Sequence, residues 1–343
     1  MSSPTAAPPA NTQIAPEKIM KYAWAYGPPL ILEAAVSNRV FDALSDGPKT
    51  IAETSAATGA SERGLSAIMN ALVGLEFLTR DDDGRYALTG ESAAFLVSSR
   101  PAYLGEYLSH TSKQIIPSWL GLSEVVRTGR PGVAVNQASE GGAFFEQFVS
   151  ALFPLNYGSA VAAAEALDVQ SATEPVSLLD LAAGSGVFSM AIAQRSPRVT
   201  VTAVDWPAVI EITRKTAAHF GLADRFKFVG GDLDSADYGK GHNIATLGHI
   251  LHSEGETRAR NLLRRTFDAL APDGTIVIAE FLVNDDRRGP LTGLIFGVNM
   301  LIHTEAGNTY SFEQIRDWLE ECGFRNVRTV EAPGPSPLIF ATK

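Results

Sequence analysis

The chain is poor in cysteine. Cys322 is the single cysteine among 343 residues, so an intramolecular disulfide and a cysteine-built metal cluster are both excluded. Its place in a Leu-Glu-Glu-Cys-Gly-Phe segment, at the end of a predicted helix, indicates core packing rather than reactivity. This cysteine usage is typical of a reducing compartment. We therefore expect a cytoplasmic protein without a metal site.

Positive charge is scarce as well. Lys and Arg number 28 against 38 Asp and Glu, which gives a formal net charge of -10 at pH 7. So acidic a chain disfavours binding to nucleic acid or to an anionic membrane surface. No apolar run reaches the roughly 18 residues of a membrane-spanning helix, and residues 1–15 lack the basic and apolar regions of a signal peptide. We expect a soluble protein that binds small molecules, with a disordered tail over residues 1–16.

The chain is rich in the hydrophobic residues that form a protein core. Hydrophobic residues make up 45% of the sequence, and its length favours two domains over one. Composition and pattern predict a winged-helix domain over residues 17–98 and a mostly helical connector over 99–165. They predict an α/β domain over residues 166–343.

The N-terminal pattern is typical of a winged helix. A helix over 50–57 is followed by a turn at Gly59 and a second helix over 61–75, with Ser61 as its N-cap. A hairpin with an Asp-Gly tip at Asp83 and Gly84 comes next. A winged helix can bind DNA, but the second helix has one basic residue, Arg63, and the hairpin tip is acidic. Packing against a second copy is therefore the favoured interpretation, and a DNA-binding regulator is the alternative.

Strands and helices alternate through the C-terminal half. Apolar strands over 176–181, 199–204, 226–229, 244–247 and 275–279 are separated by stretches with helical periodicity. This alternation predicts a doubly wound, mostly parallel, Rossmann-like sheet with right-handed crossovers. Two final strands, over 326–330 and 338–342, are joined by so short a link that we expect an antiparallel pair at one edge.

A glycine turn marks the ligand site of this sheet. The first strand runs directly into Gly184 and Gly186 before a helix begins at Val187. These glycines permit a tight turn and leave the first helical amides open to an acceptor. Asp205 ends the second strand 19 residues after Gly186, where a carboxylate accepts both hydroxyls of a ribose. The structural alternative for Asp205 is a cap on the following helix.

The sequence of this turn also indicates which class of cofactor it binds. A dinucleotide site has Gly-x-Gly-x-x-Gly, whereas this segment ends in Ser189 and has an acid, Asp180, at the strand end. The match to a dinucleotide site is therefore poor.

Two further residues at strand ends suit proton transfer. His252 precedes a Ser-Glu-Gly-Glu segment that fits a capping box, so we expect a helix to begin directly after it at the rim of the sheet. Histidine, with an ordinary pKa of about 6.5, suits the removal of a proton near neutral pH. Glu280 ends the fifth strand and offers a carboxylate that would fix the tautomer of His252. The plainer alternative is that His252 and His249 are only polar residues at a strand end.

At this point the motifs resemble a known family. They are Leu-Asp-Leu-Ala-Ala-Gly-Ser-Gly at 179–186, Asp-Trp-Pro-Ala-Val at 205–209, Gly-Gly-Asp at 230–232, His-Ile-Leu-His at 249–252, Pro-Asp-Gly at 272–274 and Ala-Glu at 279–280. The chain is similar to the S-adenosylmethionine-dependent small-molecule O-methyltransferases that carry an N-terminal winged-helix dimerisation domain. The resemblance covers residues 17–342.

The resemblance implies a cofactor, a partner and a role for each site residue. The cofactor would be S-adenosylmethionine, released as S-adenosylhomocysteine, and the N-terminal domain would form a homodimer. His252 would be the general base and Glu280 would orient its ring. The implied cofactor-binding residues are Asp180, Gly184, Gly186, Asp205, Trp206, Asp232, Leu233, Gly248 and His249. The candidates for contact with the acceptor are Phe153, Tyr157, Phe296, Met300 and His303.

Some positions depart from the family pattern. Gly248 stands where a lysine is common, and Ser253-Glu254 replaces Asp-Trp after the histidine. A second acid expected near residues 307–311 is missing, with Thr309 in its place and Glu305 as the nearest substitute.

Methyl transfer to sulfur or carbon therefore stays open as an alternative, because proximity alone could carry that reaction. A different reaction on the same cofactor-binding scaffold is a further alternative.

Overall fold

A computed structural model describes residues 15–132, 138–334 and 336–343, without the side chains of 138–147 and Ser150. The predicted disordered tail, residues 1–16, lies outside the described residues except for its last two positions. The chain divides into two compact units, Met1–Val97 and Ser98–Lys343. The segment predicted as a connector, residues 99–165, falls in the second unit together with the sheet.

The first unit is a set of short helices and one hairpin. Its elements are α1 (Glu17–Ala23), α2 (Gly27–Ser37), α3 (Val40–Ala43), α4 (Ile51–Thr58), α5 (Glu62–Gly74), β1 (Leu78–Arg80), β2 (Tyr86–Leu88) and α6 (Gly90–Phe95). β1 and β2 pair antiparallel, so α4, α5 and the hairpin follow one another in the predicted order.

Local capping explains where these helices begin. The Thr50 hydroxyl accepts a hydrogen bond from the Glu53 amide at 3.2 Å, and the Ser61 hydroxyl accepts one from the Gly64 amide at 3.2 Å. Gly27, Pro28 and Pro29 form the first turn of α2. Proline is tolerated there because the first amides of a helix have no intrahelical acceptor.

The second unit begins with helices. They are α7 (Gly105–His110), α8 (Ile116–Trp119), α9 (Leu122–Thr128) and α10 (Ala138–Leu167), and a π-helical turn, Thr111–Ile115, links α7 to α8. In the part of the chain that the structure describes, no helix has both the length and the apolar character needed to cross a bilayer.

A seven-stranded sheet forms the body of this unit. Its strands are β3 (Val176–Leu181), β4 (Val199–Asp205), β5 (Phe226–Gly230), β6 (His242–Gly248), β7 (Leu270–Ala279), β8 (Arg325–Val330) and β9 (Leu338–Thr342). The order is β5-β4-β3-β6-β7-β9-β8, in which β3 to β7 are parallel and β9 runs antiparallel to both of its neighbours. The predicted fold class, a mostly parallel sheet with an antiparallel pair at one edge, is confirmed.

Helices cover both faces of the sheet. They are α10 together with α11 (Val187–Arg195), α12 (Pro207–His219), α13 (Leu251–Ala269) and α15 (Phe312–Cys322), whereas α14 (Leu291–His303) packs against the helices α8, α9 and α13. Leu179 and Leu181 belong to the same core cluster as α13 and α15, whereas Leu178 belongs to a cluster with α10, α11 and α12. Leu178 and Leu179, which are adjacent in β3, are therefore buried on opposite faces, and this explains why β3 is largely apolar.

The strand order also places the ligand site. Strand order reverses between β3 and β6, and open α/β sheets bind ligands at the carboxyl ends of the strands beside such a switch point. The segments that follow β3, β4, β6 and β7 therefore meet at one edge of the sheet.

The core at the sheet centre sets the stability of the second unit. Leu179 is 0% exposed, so we expect Leu179→Ala to lower the free energy of unfolding by about 2 to 5 kcal/mol through lost burial and a residual cavity. Thr200, on the neighbouring strand β4, is exposed, and Thr200→Ala should change this energy by less than about 0.5 kcal/mol. Urea unfolding followed by circular dichroism measures both. Equal effects of the two variants would contradict this account of the core.

Candidate functional site

His252 and Glu280 form a buried pair at the carboxyl edge of the sheet. His252 lies in the first turn of α13, just after β6, and Glu280 follows the last residue of β7. His252 Nδ1 lies 2.8 Å from Glu280 Oε2, and the backbone amide of His252 donates to Glu280 Oε1 at 3.2 Å. The two residues are 8% and 2% exposed. The structure thus joins two residues that are 28 positions apart in sequence.

The ionised state of Glu280 determines which nitrogen of the imidazole carries the proton. Burial would raise the pKa of Glu280, but the charge of His252 and its hydrogen bonds outweigh burial and hold this pKa below its usual value. An ionised carboxylate only accepts hydrogen bonds, so Nδ1 of His252 carries the proton. The lone pair of the neutral ring is then on Nε2.

The backbone around His252 differs from the prediction. The capping box expected from Ser253 is not formed, because α13 begins at Leu251 without a side-chain cap and the Ser253 hydroxyl donates to the Ile250 carbonyl at 2.9 Å. A loop holds the turn instead, since the Asn308 amide donates to the His252 carbonyl at 2.8 Å. A Cβ at Gly307 would lie 2.5 Å from this carbonyl oxygen, so the loop must have glycine there to come this close.

Aromatic rings surround the imidazole. Phe296 on α14 meets His252 edge-on, with ring centroids 4.8 Å apart at 88°. Phe281 stacks on Phe296 at 4.0 Å and 28°. Phe296 was predicted to contact the acceptor, whereas Phe281 was not. The signal that could have found Phe281 is its position directly after Glu280 at the end of a strand.

The other two residues of α14 that were predicted to contact the acceptor, Met300 and His303, lie further along the same helix. Phe296, Met300 and His303 are spaced by four and three residues and share one helical face, and Met300 and His303 are 6% and 4% exposed. His303 Nδ1 lies 2.9 Å from the Asn299 carbonyl oxygen, and burial lowers the pKa of His303.

A second histidine, His110, belongs to the same region. It lies at the end of α7, stacks on Phe148 at 3.9 Å and is close enough to His303 for the two charges to interact. Burial lowers the pKa of His110 as well. The sequence carried no local signal for His110, because only the tertiary packing brings α7 near α14.

Phe153 and Tyr157 lie elsewhere. Both are on α10, where Phe153 stacks on Tyr157 at 5.7 Å and on Phe220 at 5.4 Å. Phe153 packs against the core cluster of α11 and α12, and Tyr157 is 38% exposed. These contacts are those of a helix packing on the sheet. The contact with an acceptor that was assigned to the two residues stays a prediction.

The glycine turn after β3 has the expected form. Gly184 and Gly186 have φ angles of 58° and 74°, in the left-handed region that favours glycine. The Gly184 amide donates to Asp205 Oδ2 at 2.8 Å, so the turn and the acid of β4 are directly joined. The Trp206 amide donates to Asp205 Oδ1 at 2.7 Å, while Trp206 itself is the N-cap residue of α12. Burial raises the pKa of Asp205 to about 6 despite these hydrogen bonds.

Asp180 is tied to its protein surroundings. Its carboxylate accepts hydrogen bonds from the Ser189 hydroxyl at 2.5 Å and from the Thr246 hydroxyl at 2.7 Å, and the residue is 2% exposed. Burial raises its pKa to about 6. These bonds join α11 and β6 to β3, and the predicted contact with the cofactor remains a prediction.

Asp232 and Leu233 follow β5 and are linked to α13 by two arginines, Arg258 at Asp232 and Arg265, which donates to the Leu233 carbonyl oxygen. Arg258 pairs with Asp232 Oδ1 at 3.6 Å and with Glu254 Oε2 at 2.6 Å. Leu233 is 8% exposed. Arg258 thus holds this loop in place, and the prediction had not included it because the residue lies within a polar helical surface.

Gly248 and His249 end β6. A Cβ at Gly248 would lie 2.8 Å from the ring of Phe188, which explains why glycine stands where the resembling family commonly has lysine. His249 has a φ of 59°, a left-handed value that is unusual for a non-glycine residue. Burial lowers the pKa of His249 to about 4.

The position of the missing second acid is a packing position. Thr309 is 2% exposed and lies so close to α14 that a Cβ at Gly297 would be 3.0 Å from its hydroxyl oxygen. Glu305, the other candidate, is exposed. Glu280 is the acid that the structure pairs with His252.

The chain matches known proteins over most of its length. Residues 119–325 match the family model of the O-methyltransferase domain, and residues 20–98 match that of the O-methyltransferase dimerisation domain. The chain is 30% identical to 3-hydroxy-5-methyl-1-naphthoate 3-O-methyltransferase of Streptomyces sahachiroi, over 91% of each chain. It is 28% identical to the tetracenomycin polyketide synthesis 8-O-methyl transferase of Streptomyces glaucescens, over 96% of this chain and 97% of that one.

A solved structure is similar over the same extent. Human N-acetylserotonin methyltransferase in complex with SAM superposes with a TM-score of 0.82 and 25% identity, over 97% of this chain and 99% of that one. The match of the first unit to a dimerisation domain favours that role over DNA binding. The family and the class of enzyme expected from the motifs are confirmed. The chain belongs to the O-methyltransferase family whose members carry an N-terminal O-methyltransferase dimerisation domain.

Proposed function

We propose that this O-methyltransferase moves the methyl group of S-adenosylmethionine to a hydroxyl of a small, ring-containing acceptor, with His252 as the general base. The observation that carries the proposal is the 2.8 Å hydrogen bond between His252 Nδ1 and the buried carboxylate of Glu280. It favours the tautomer that a base needs, with the proton on Nδ1 and the lone pair on Nε2.

S-adenosylmethionine is the cofactor, and the residues at the carboxyl edge fit it. When bound, it supplies an electrophilic methyl group on a sulfonium sulfur. The turn at Gly184 and Gly186 presents backbone without side chains, which suits close approach of a ligand. Each oxygen of Asp205 accepts one amide and keeps a further lone pair for a ribose hydroxyl. Asp232 and Leu233 would contact the adenine.

His252 and Glu280 divide the proton chemistry between them. Nε2 of His252 takes the proton of the acceptor hydroxyl as the oxygen becomes nucleophilic. The imidazolium that results is stabilised by the Glu280 carboxylate, which lies in a nearly water-free setting where charge interactions are strong. Glu280 acts through His252 and is therefore a positioning residue.

The surroundings of His252 favour an aromatic acceptor. Phe281 and Phe296 present stacked ring surfaces beside the imidazole, and ring-on-ring contact would orient a flat substrate. The relatives from Streptomyces are named for a naphthoate and for a polyketide, both of which are compatible with such a surface.

Transfer to sulfur or carbon is the weaker candidate. A thioether has no proton to lose, so its methylation would not need the buried Glu280 carboxylate. Desolvating a carboxylate is costly, and its hydrogen bonds to His252 are best explained by proton removal from oxygen.

The first unit supports a homodimer. Large apolar side chains before and after the end of α1 are more than half exposed, namely Ile19, Met20, Tyr22, Trp24 and Tyr26. An exposed group of this kind marks a protein interaction surface. We infer that a second copy of the chain covers it, in agreement with the match to a dimerisation domain.

Removal of the base should slow methyl transfer without weakening cofactor binding. We expect His252→Ala to lower kcat by about 10² to 10⁴-fold, the usual contribution of general-base catalysis. The affinity for S-adenosylmethionine should stay unchanged in calorimetric titration. The measurement is the rate of S-adenosylhomocysteine formation at saturating cofactor, with a panel of phenols, hydroxynaphthoates and thioethers as acceptors.

His219 offers a matched control. It is an exposed histidine at the end of α12, and His219→Ala should keep the full rate. A full rate in His252→Ala on a hydroxyl acceptor would overturn the base assignment. A rate with thioethers alone would shift the reaction to sulfur.

Cofactor affinity should fall in mild acid. The pKa of Asp205 is raised to about 6, so its charge is present above that pH and is lost as the pH falls through it. Ribose hydroxyls bind more weakly to a protonated carboxyl, and a single group with this pKa can raise the dissociation constant by at most about 10-fold between about pH 7.5 and 5, which is the rise we expect. Calorimetric titration with S-adenosylmethionine over this range measures it.

Asp205→Asn separates this effect from the titration of other groups. The variant should bind weakly at every pH, with a nearly flat profile. A profile as steep as that of the unchanged protein would assign the pH dependence to another group, with Asp180 as the first candidate because its pKa is also raised to about 6.

The dimer should depend on the exposed apolar residues of the first unit. We expect the combined change Tyr22→Asp and Trp24→Asp to convert a dimer into a particle of the chain mass, 36.5 kDa, because charge would be buried without a partner. Light scattering coupled to size-exclusion chromatography measures the mass. Asp82→Ala, at the exposed hairpin tip, should leave the dimer intact. A dimer that survives the double change would contradict this interface.

A further inference from the structure

Three potential metal ligands meet at the carboxyl edge of the sheet. His249, His252 and Glu280 each offer one ligand atom, and these atoms all lie within 4.8 Å of one another. The sheet explains the juxtaposition, because β6 ends at Gly248 and its neighbour β7 ends at Ala279. Only two of the three side chains have a task in the proposed reaction.

His249 is the unexplained member. Its backbone amide donates to the Ala279 carbonyl at 2.9 Å, and its φ of 59° is unusual for a residue with a side chain. The Nδ1 atom is buried, and it has no hydrogen-bond partner within the described ranges. A buried nitrogen without a partner is costly, so such a group calls for a ligand or a function.

The surroundings of the His249 side chain also favour metal binding. Its ring centroid lies 6.4 Å from that of His252 and 5.1 Å from that of Phe281. The neighbouring phenylalanine ring limits access of water, which strengthens a metal–ligand bond.

Two imidazoles and one carboxylate are typical ligands of transition metals. Zn²⁺ takes nitrogen ligands at about 2.0 to 2.1 Å, so the ligand atoms of a tetrahedral shell lie about 3.3 Å apart. Atoms within 4.8 Å of one another need to close by about 1.5 Å at most, a change within the reach of side-chain rotation. Mg²⁺ and Ca²⁺ prefer shells of oxygen, so this ligand set selects against them.

We propose that His249, His252 and Glu280 form a binding site for a divalent transition-metal ion of the Zn²⁺ class, and that the bound ion inhibits methyl transfer. The ion occupies the nitrogen of His252 that the proton transfer needs, or takes Glu280 away from it. The inhibition rests on the proposed role of His252 as base, whereas the binding of the ion does not.

Cobalt absorption tests the site without reference to activity. Co²⁺ is added to the tag-free protein, and a tetrahedral Co²⁺ site with nitrogen and oxygen ligands gives visible bands that are far stronger than those of the hydrated ion. We expect these bands in the unchanged protein and their displacement by Zn²⁺. Their absence at millimolar Co²⁺ would overturn the proposal.

His249→Asn is the decisive variant. Asparagine tolerates a left-handed backbone better than other side chains of its size, so the fold at this position should be kept. We expect the variant to bind Co²⁺ at least about tenfold more weakly, since loss of even an outer partner costs about 10- to 100-fold in metal affinity. His219→Asn, at an exposed position, should bind as the unchanged protein does. Equal binding by all three proteins would place the ion elsewhere.

Inhibition is measured separately. Zn²⁺ should lower the rate of the unchanged enzyme, and a chelator should restore it. In His249→Asn, the Zn²⁺ concentration for half-inhibition, taken relative to the variant's own metal-free rate, should rise at least about tenfold. His249→Gly provides a second variant if the asparagine side chain disturbs the turn. Co²⁺ binding at this site without loss of rate would refute the inhibition and the base role of His252 together, while leaving the site itself in place.

Discussion

A carboxylate in a nearly dry protein interior is costly unless charge and hydrogen bonds compensate it, and Glu280 meets this condition through His252. Three donors converge on its two oxygens: the imidazole and amide of His252, and the amide of Phe281. The pair fixes the turn after β6 relative to the end of β7. The same interaction therefore stabilises the edge of the sheet and prepares the imidazole for proton removal.

The cofactor side of the edge follows a similar rule. Asp180 and Asp205 are carboxylates whose pKa values are raised by burial, and each accepts hydrogen bonds from neighbouring elements. Asp180 joins β3 to α11 and β6, and Asp205 joins β4 to the glycine turn. Both acids thus have protein partners that hold the strand ends together.

Close packing accounts for two departures from the family pattern. The ring of Phe188 fills the space beside Gly248, where a longer side chain would collide with it. Thr309 fits against α14 at Gly297, so a small buried side chain occupies the position of the expected second acid.

The sequence by itself determined the sheet, the order of its elements and the residues at its carboxyl edge, because these depend on local periodicity and on glycine, acid and histidine at strand ends. It indicated Gly184, Gly186, Asp205, His252 and Glu280 in this way. It failed for the start of α13, where a loop from residues 307–308 holds the turn in place of the capping box predicted from Ser253. Only the tertiary structure decided that His249 shares a site with His252 and Glu280, that His110 lies near His303, and that Phe153 packs on Phe220. These contacts join residues far apart in the chain, and no local pattern encodes which helix face meets which strand end.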